Sequence, residues 1–124
     1  MKNKIAKQYI EFLSTDNTEG IIELFADSGK VQSPIYGEKS AREFYKTLAE
    51  DTHNSELQLI EIFENVNSGN IALYFEYKWT VKSGKIVEFD VVDIIEFDDQ
   101  NKIVSLKIIY DTVVSRALVE EMKI

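Results

Sequence analysis

A lone carboxyl interrupts the most regular apolar row in the chain. Residues 85–97 read KIVEFDVVDIIEF, and strand alternation sends Val87, Phe89, Val91, Asp93, Ile95 and Phe97 to one face. The other face carries Ile86, Glu88, Asp90, Val92, Ile94 and Glu96, the mixed pattern of a wetter side. An ionised carboxylate in an apolar row is costly, so Asp93 must be paired, solvated in a cavity, or held protonated. A structural aspartate bonded to backbone or water satisfies that requirement, and so does a functional carboxyl. Two phenols bear on the choice. Tyr9 lies on the stripe Ile5, Tyr9, Phe12, Leu13, and Tyr45 on the face Ala41, Phe44, Tyr45, Leu48. Both rings therefore face inward, where each hydroxyl needs a partner.

Other chemistries lack their residues. The sequence has no glycine-rich phosphate loop, no HExxH and no GxSxG. His53 is the single histidine and sits in the polar stretch Asp51-Thr52-His53-Asn54, which disfavours a zinc site or a Ser-His-Asp triad. There is no cysteine, hence no thiolate nucleophile or disulfide. The acidic residues of 56–64 and Asp98-Asp99 read as solvated faces and a turn, not as metal ligands. A net charge of −8 argues against nucleic acid and against anionic membrane surfaces. The segment MKNKIAKQYIEFL has no long apolar core and no small-residue cleavage site, so no signal peptide is expected. No window is apolar enough to span a membrane. The expected setting is the cytoplasm, and the 124 residues are expected to form one domain.

The elements that must position Asp93 and the phenols follow from periodicity. Residues 2–14 predict an amphipathic helix. Asp16-Asn17-Thr18-Glu19 supplies capping chemistry, with Asp16 and Glu19 in capping-box spacing. A short second helix uses Ile21, Ile22, Leu24 and Phe25 and ends by Asp27-Ser28-Gly29. Residues 30–35 predict a brief strand, which Pro34, the only proline, leads into a turn ending at Gly37. A third helix spans about 38–50. From there the pattern is extended: strands over 56–66, 71–82, 85–97 and 102–111, separated by turns such as Asn67-Ser68-Gly69-Asn70. Ile71, Leu73, Phe75, Tyr77, Trp79 and Val81 share the inward face, as do Val104, Leu106, Ile108 and Tyr110. Residues 112–124 could add a short terminal helix. Helices followed by a four-stranded antiparallel meander make an α+β plan. A curled sheet over helices leaves a conical cavity, lined here by the apolar row with Tyr9, Phe25, Phe44, Tyr45 and Trp79. Aromatics in such places often serve only as core, but their convergence with a carboxyl and two phenols favours a pocket.

The runs QYIEFLSTDNTEGIIELFADSGKVQSPIYGEKSAREFY and FDVVDIIEFDDQNKIVSLKIIY resemble the ketosteroid isomerase/SnoaL-like branch of the NTF2-like fold. The carriers are Leu24-Phe25-Ala26-Asp27, Pro34 after the first strand, and the D-x-x-D-x-x-x-F-D run at Asp90–Asp98, in the family's order over residues 5–112. The resemblance implies an NTF2-like (cystatin-like) cone of three N-terminal helices on a curved antiparallel sheet. It also implies roles. Tyr9 matches the tyrosine that donates to a developing enolate oxygen, and Asp93 the second donor, a carboxylic acid kept neutral. Tyr45 matches a tyrosine supporting the first, and Tyr110 an aromatic of the pocket floor. The departure is Ser33, where the isomerases carry the aspartate that moves the proton. A serine hydroxyl is far too weak a base at neutral pH.

Three functions are therefore open. One is an isomerase or cyclase acting on a hydrophobic carbonyl compound, with Tyr9 and Asp93 stabilising an enolate and Ser33 in place of the base. Another is a non-catalytic module binding a hydrophobic ligand, and the third a dimeric interaction module. Ser33, Tyr45, Phe75, Tyr77, Trp79, Phe89 and Tyr110 are the expected ligand contacts. No cofactor and no metal are expected. The family habit and the outward apolar residues Tyr74, Val92 and Ile94 point to a homodimer.

Overall fold

The computed structural model describes residues 1–123. Helix α1 spans Lys2–Ser14 and buries Ile5, Ala6, Tyr9 and Leu13; Phe12 of the expected stripe is only half-buried. Helix α2, Thr18–Glu23, is capped by Asn17, whose side chain accepts from the Gly20 amide. The cap is thus Asn17, not Asp16. Asp16 instead takes a positive φ of 57° at the turn between the two helices.

Strand β1 runs over Phe25–Ser33 and β2 over Gly37–Ser40, joined by the turn that contains Pro34. This corrects two expectations. Phe25 opens a strand and does not close α2, and residues 37–40 form an edge strand where a helix start was expected. Helix α3, Ala41–Asp51, begins where the Ser40 hydroxyl accepts from the Glu43 amide. Strands β3 Thr52–Glu64, β4 Ile71–Val81, β5 Ile86–Phe97 and β6 Ile103–Ile109 follow, then helix α4, Val113–Met122.

The sheet has six strands in the order β2-β1-β6-β5-β4-β3, not four. β1 lies parallel to β6 and all other neighbours are antiparallel. Register shifts interrupt β1 between Phe25 and Lys30, β3 between Leu59 and Glu61, and the β5–β6 pairing between Glu96 and Phe97. Such bulges bend a strand and steepen its twist, which is how the sheet curls. Gly29 sits in the β1 bulge. A Cβ there would lie 2.8 Å from the Phe25 ring and 3.0 Å from the Ile103 carbonyl, so only glycine fits.

The alternation expected for β4 holds: Ile71, Leu73, Phe75, Tyr77, Trp79 and Val81 are all buried on the concave face against the helices. In β6 the register shift brings Ile103 into the core, while Val104 is only half-buried. Among the described residues, no helix is long and apolar enough to cross a membrane.

Candidate functional site

Asp93 lies in the middle of β5, paired across the sheet with Leu73 of β4 and Ile108 of β6. Central strand positions are wetted by neither edge, and Asp93 is only 1% exposed. Its Oδ1 atom is buried without a hydrogen-bond partner among the described residues. Burial pushes the carboxyl well above the usual carboxylate range, because the charged form has lost its water and no cation replaces it. Burial therefore favours the neutral acid, which has one proton to donate.

Tyr9 of α1 and Tyr45 of α3 meet beneath the sheet with their hydroxyl oxygens 2.8 Å apart, and either can donate. Burial raises both phenols well above their ordinary value. For Tyr9 the hydrogen bond with Tyr45 adds to that effect, and for Tyr45 the same bond offsets a little of it. Both phenols are thus neutral donors at any physiological pH. Where Tyr45 donates to Tyr9, the Tyr9 proton is free.

Tyr9 and Asp93 line one cavity, closed in by Ser33, Phe44, Phe75, Tyr77, Trp79, Phe89 and Tyr110. Tyr45 does not reach it and stands behind Tyr9. Phe25 is likewise excluded, its ring packed 5.8 Å from that of Tyr45. The far wall is a stack: Tyr77 on Phe89 at 5.4 Å and Phe89 on Tyr110 at 4.5 Å between ring centroids. Tyr77 also shares a 2.7 Å hydrogen bond with Ser55. Trp79 donates its indole N–H to Thr52 at 2.8 Å, which fixes the ring at the cavity's edge. Only about 40 Å³ is open to the centres of water molecules, room for a few waters and not for a ring compound.

Ser33 is placed differently from a base. Its Oγ accepts from the Ile35 and Tyr36 amides at 3.2 and 3.3 Å, organising the turn after β1. The hydroxyl can donate into the cavity but has little capacity left to accept a proton. The sequence reading also missed Tyr36 and Asp51. Tyr36 lines the cavity and donates to Asp51 Oδ2 at 2.6 Å. Burial and this carboxylate raise its phenol strongly. No periodicity marks a turn tyrosine, so nothing in the sequence pointed to it. His53 is exposed and takes no part.

A larger open trough, about 530 Å³, runs over the sheet where Glu56, Glu76, Lys78, Glu88 and Asp90 stand. Its carboxylates face solvent, whereas the convergent donors and aromatic walls belong to the Asp93 cavity. Among the described residues no three His, Cys, Asp or Glu side chains converge as a metal site.

The polar groups lining the cavity are a carboxyl whose neutral form burial favours, phenols and a serine. They can hold an oxygen that gains negative charge, with walls suited to a flat apolar body.

The SnoaL-like domain family model matches residues 6–106, and the chain belongs to that family. No curated protein matches it in sequence. Solved structures agree on the fold, which is NTF2-like. PrhC from Penicillium brasilianum is 15% identical over 98% of this chain and 87% of its own, with a TM-score of 0.81. TerC, co-crystallised with polyporic acid, is 18% identical over 96% and 98%, TM-score 0.80. The epoxide hydrolase/cyclase-like enzyme SalBIII, of pyran ring formation in the polyether salinomycin, is 13% identical over 89% and 90%, TM-score 0.77.

Proposed function

We propose that this chain binds a neutral, hydrophobic carbonyl compound in the Asp93 cavity. Its carbonyl oxygen accepts from Tyr9 and from protonated Asp93. One observation carries the reading: a fully buried carboxyl, with an oxygen lacking any protein partner, faces the same small cavity as a phenol that Tyr45 can support. An unpartnered buried polar atom is destabilising and rare, so it marks a place where something else binds. SnoaL-like membership and TerC's crystallisation with polyporic acid support small-molecule binding.

Such a pair favours an enolate over its ketone, since donors in a dry site act most strongly on developing charge. That is the oxyanion half of an isomerase or cyclase. The residues lining the cavity include no second carboxylate and no histidine, and Ser33 is occupied by its own turn. This favours a second reading in which the chain sequesters the ligand without turnover.

The test is binding of 2-naphthol, a planar phenol that ionises to an enolate-like oxyanion, followed by titration. Asp93→Ala and Tyr9→Phe should each weaken it about 10-fold or more, the size of one lost charge-assisted hydrogen bond. Asp93→Asn, which keeps a donor, should recover part of the loss. Equal affinity in all four proteins would place the ligand elsewhere.

We further propose a homodimer through the convex sheet face. Half-buried Tyr74, Val92 and Ile94 lie there beside exposed Phe63 and Ile109. Cross-strand register joins them into one patch, with Phe63 opposite Ala72, Ala72 opposite Ile94, and Val92 opposite Ile109. Contiguous apolar patches of this kind mark interfaces. Sedimentation at about 10–50 μM, where a standard-size interface holds, should give a dimer, and Val92→Glu a monomer. A wild-type monomer at those concentrations rejects this interface.

A further inference from the structure

The cavity as it stands admits water but not a ring compound, so something on its rim must move. The cavity is walled by α1 and α3, through Tyr9, Leu13, Phe44 and Leu48, and by the sheet, whose strand ends form the rim. Ser33 closes β1, Trp79 and Phe89 flank the β4–β5 turn, Tyr110 follows β6, and Tyr36 lies in the β1–β2 turn. Strands in a six-stranded sheet do not part readily. Helix α4 is attached in another way.

Among the described residues, three side-chain contacts fasten α4, and each lands on a residue beside this rim or bonded to it. Arg116 donates to the Pro34 carbonyl at 2.6 Å, next to Ser33. Glu121 pairs with Lys85 at 2.9 Å, at the start of the strand that carries Phe89. Lys123 donates to both oxygens of Asp51, at 2.9 and 3.2 Å, and Tyr36 donates to that same carboxylate. The Arg116 charge also acts on the Tyr110 phenol. The helix thus runs from the β1–β2 turn to the β4–β5 turn outside the cavity, lining none of it and bearing on its rim through Tyr36.

Its apolar hold is slight. Val119 is buried, and Leu118 and Met122 pack against the core, but Val113 and Val114 are exposed. On its inner side the Ser115 hydroxyl is fully buried with no partner among the described residues. A buried hydroxyl without a hydrogen bond destabilises the closed position, and water would satisfy it once the helix lifts. A groove of about 320 Å³ already separates α4 from Ile35 and Tyr36.

We propose that α4 is a lid on the Asp93 cavity and that Asp51 is its latch. One carboxylate holds Lys123 of the lid and Tyr36 of the rim. When Lys123 leaves, α4 swings away, Tyr36 loses its backing, and a flat neutral ligand can enter between Tyr36 and the Phe89–Tyr110 stack. The Asp51 side chain is 9% exposed and that of Lys123 is 55% exposed. The latch is accordingly weak enough to open and well enough oriented to set the closed position. The ligand part of this proposal rests on the binding reading above; the motion of α4 does not.

The experiment uses the full chain and the variants Lys123→Ala and Asp51→Asn. Lys123 is a surface residue, so its variant should fold. Without ligand, α4 amides should exchange hydrogen faster than those of β4 and β5, through opening that leaves the sheet intact. Each variant should speed α4 exchange roughly 2- to 5-fold, the effect of losing a partly exposed ion pair, and leave β4 and β5 unchanged. Acrylamide quenching of Trp79, the single tryptophan and 2% exposed, should rise in parallel. With 2-naphthol, association and dissociation should quicken by the same factor at nearly constant affinity.

Exchange of α4 as slow as that of β4 and β5 overturns the lid. So does an Lys123→Ala variant that leaves both α4 exchange and quenching at wild-type levels. Fast α4 exchange in a wild type that binds no 2-naphthol keeps the lid and removes the ligand assignment. Binding with unaltered rates and unaltered α4 exchange in both variants keeps the ligand assignment and removes the lid.

Discussion

Replacing Asp93 by Asn should make the protein progressively more stable than wild type as pH rises from about 4. Burial holds the folded-state carboxyl above its unfolded value of about 3.9. Between those two pKa values the folded chain keeps a proton that the unfolded chain has released. Wild-type stability from this group is therefore fully present below pH 3.9 and is lost as pH climbs toward the folded pKa. Asn has no proton to lose. The stability difference, Asn variant minus wild type, should grow by about 1.4 kcal/mol per pH unit within that window. Contributions from the chain's other titrating groups cancel in the difference, as they are present in both proteins.

Urea unfolding at pH 5, 6 and 7, at one protein concentration, measures it. A difference that does not change with pH would mean that Asp93 ionises ordinarily, and the pairing of Tyr9 with a neutral acid would then fail. Infrared spectra give an independent reading. A carboxylic-acid carbonyl band should be present at pH 7 in wild type and absent from the Asn variant.

Asp93 was legible because strand alternation is strict. Six alternate residues of one strand share a face, and a carboxyl among five apolar partners stands out without any knowledge of the partner strands. Tyr9 and Tyr45 were legible as inward phenols for the same reason, at helical spacing. That they bond to each other was not, because α1 and α3 are joined only by the fold. The strand errors share one cause. Ala26-Asp27-Ser28-Gly29 has the composition of a turn, but the bulge in β1 lets those residues run on as strand beside β6. β2 is four residues without an apolar member, held only by pairing with β1. The parallel pairing of β1 with β6 joins segments more than seventy residues apart, and no local pattern records such a pairing. Tyr36 and Asp51 fall in the same class. Their contact exists only because the turn after β1 folds back over the end of α3.

The cavity's contents separate the catalytic reading from the binding one at a single position. Tyr9 and Asp93 would stabilise an enolate once formed, but nothing at Ser33 removes the proton that forms it. Wild type should accordingly be slow at converting 3-cyclohexenone to 2-cyclohexenone. A base must take a proton from the carbon between the carbonyl and the alkene, and return it to the far end of the alkene. The electron pair rests meanwhile on the carbonyl oxygen.

Ser33→Asp should introduce that base. The Ile35 and Tyr36 amides that now bond the serine would hold one carboxylate oxygen and leave the other toward the cavity. A general base typically contributes ~10²–10⁴-fold. Misplacement by about an ångström forfeits ~10²-fold of that, and the two amides lower the carboxylate's basicity. A gain of about 10- to 100-fold is the expected result, read as the rise of conjugated-enone absorbance. Adding Asp93→Ala should abolish the gain, because a base without an oxyanion donor leaves the enolate unsupported; loss of one such donor costs ~10²–10³-fold. Fast turnover by wild type would mean that another group is the base. No gain in a Ser33→Asp variant that folds and still binds 2-naphthol would mean that the cavity holds its ligand with the α-carbon out of reach. The sequestering function would then be the correct one.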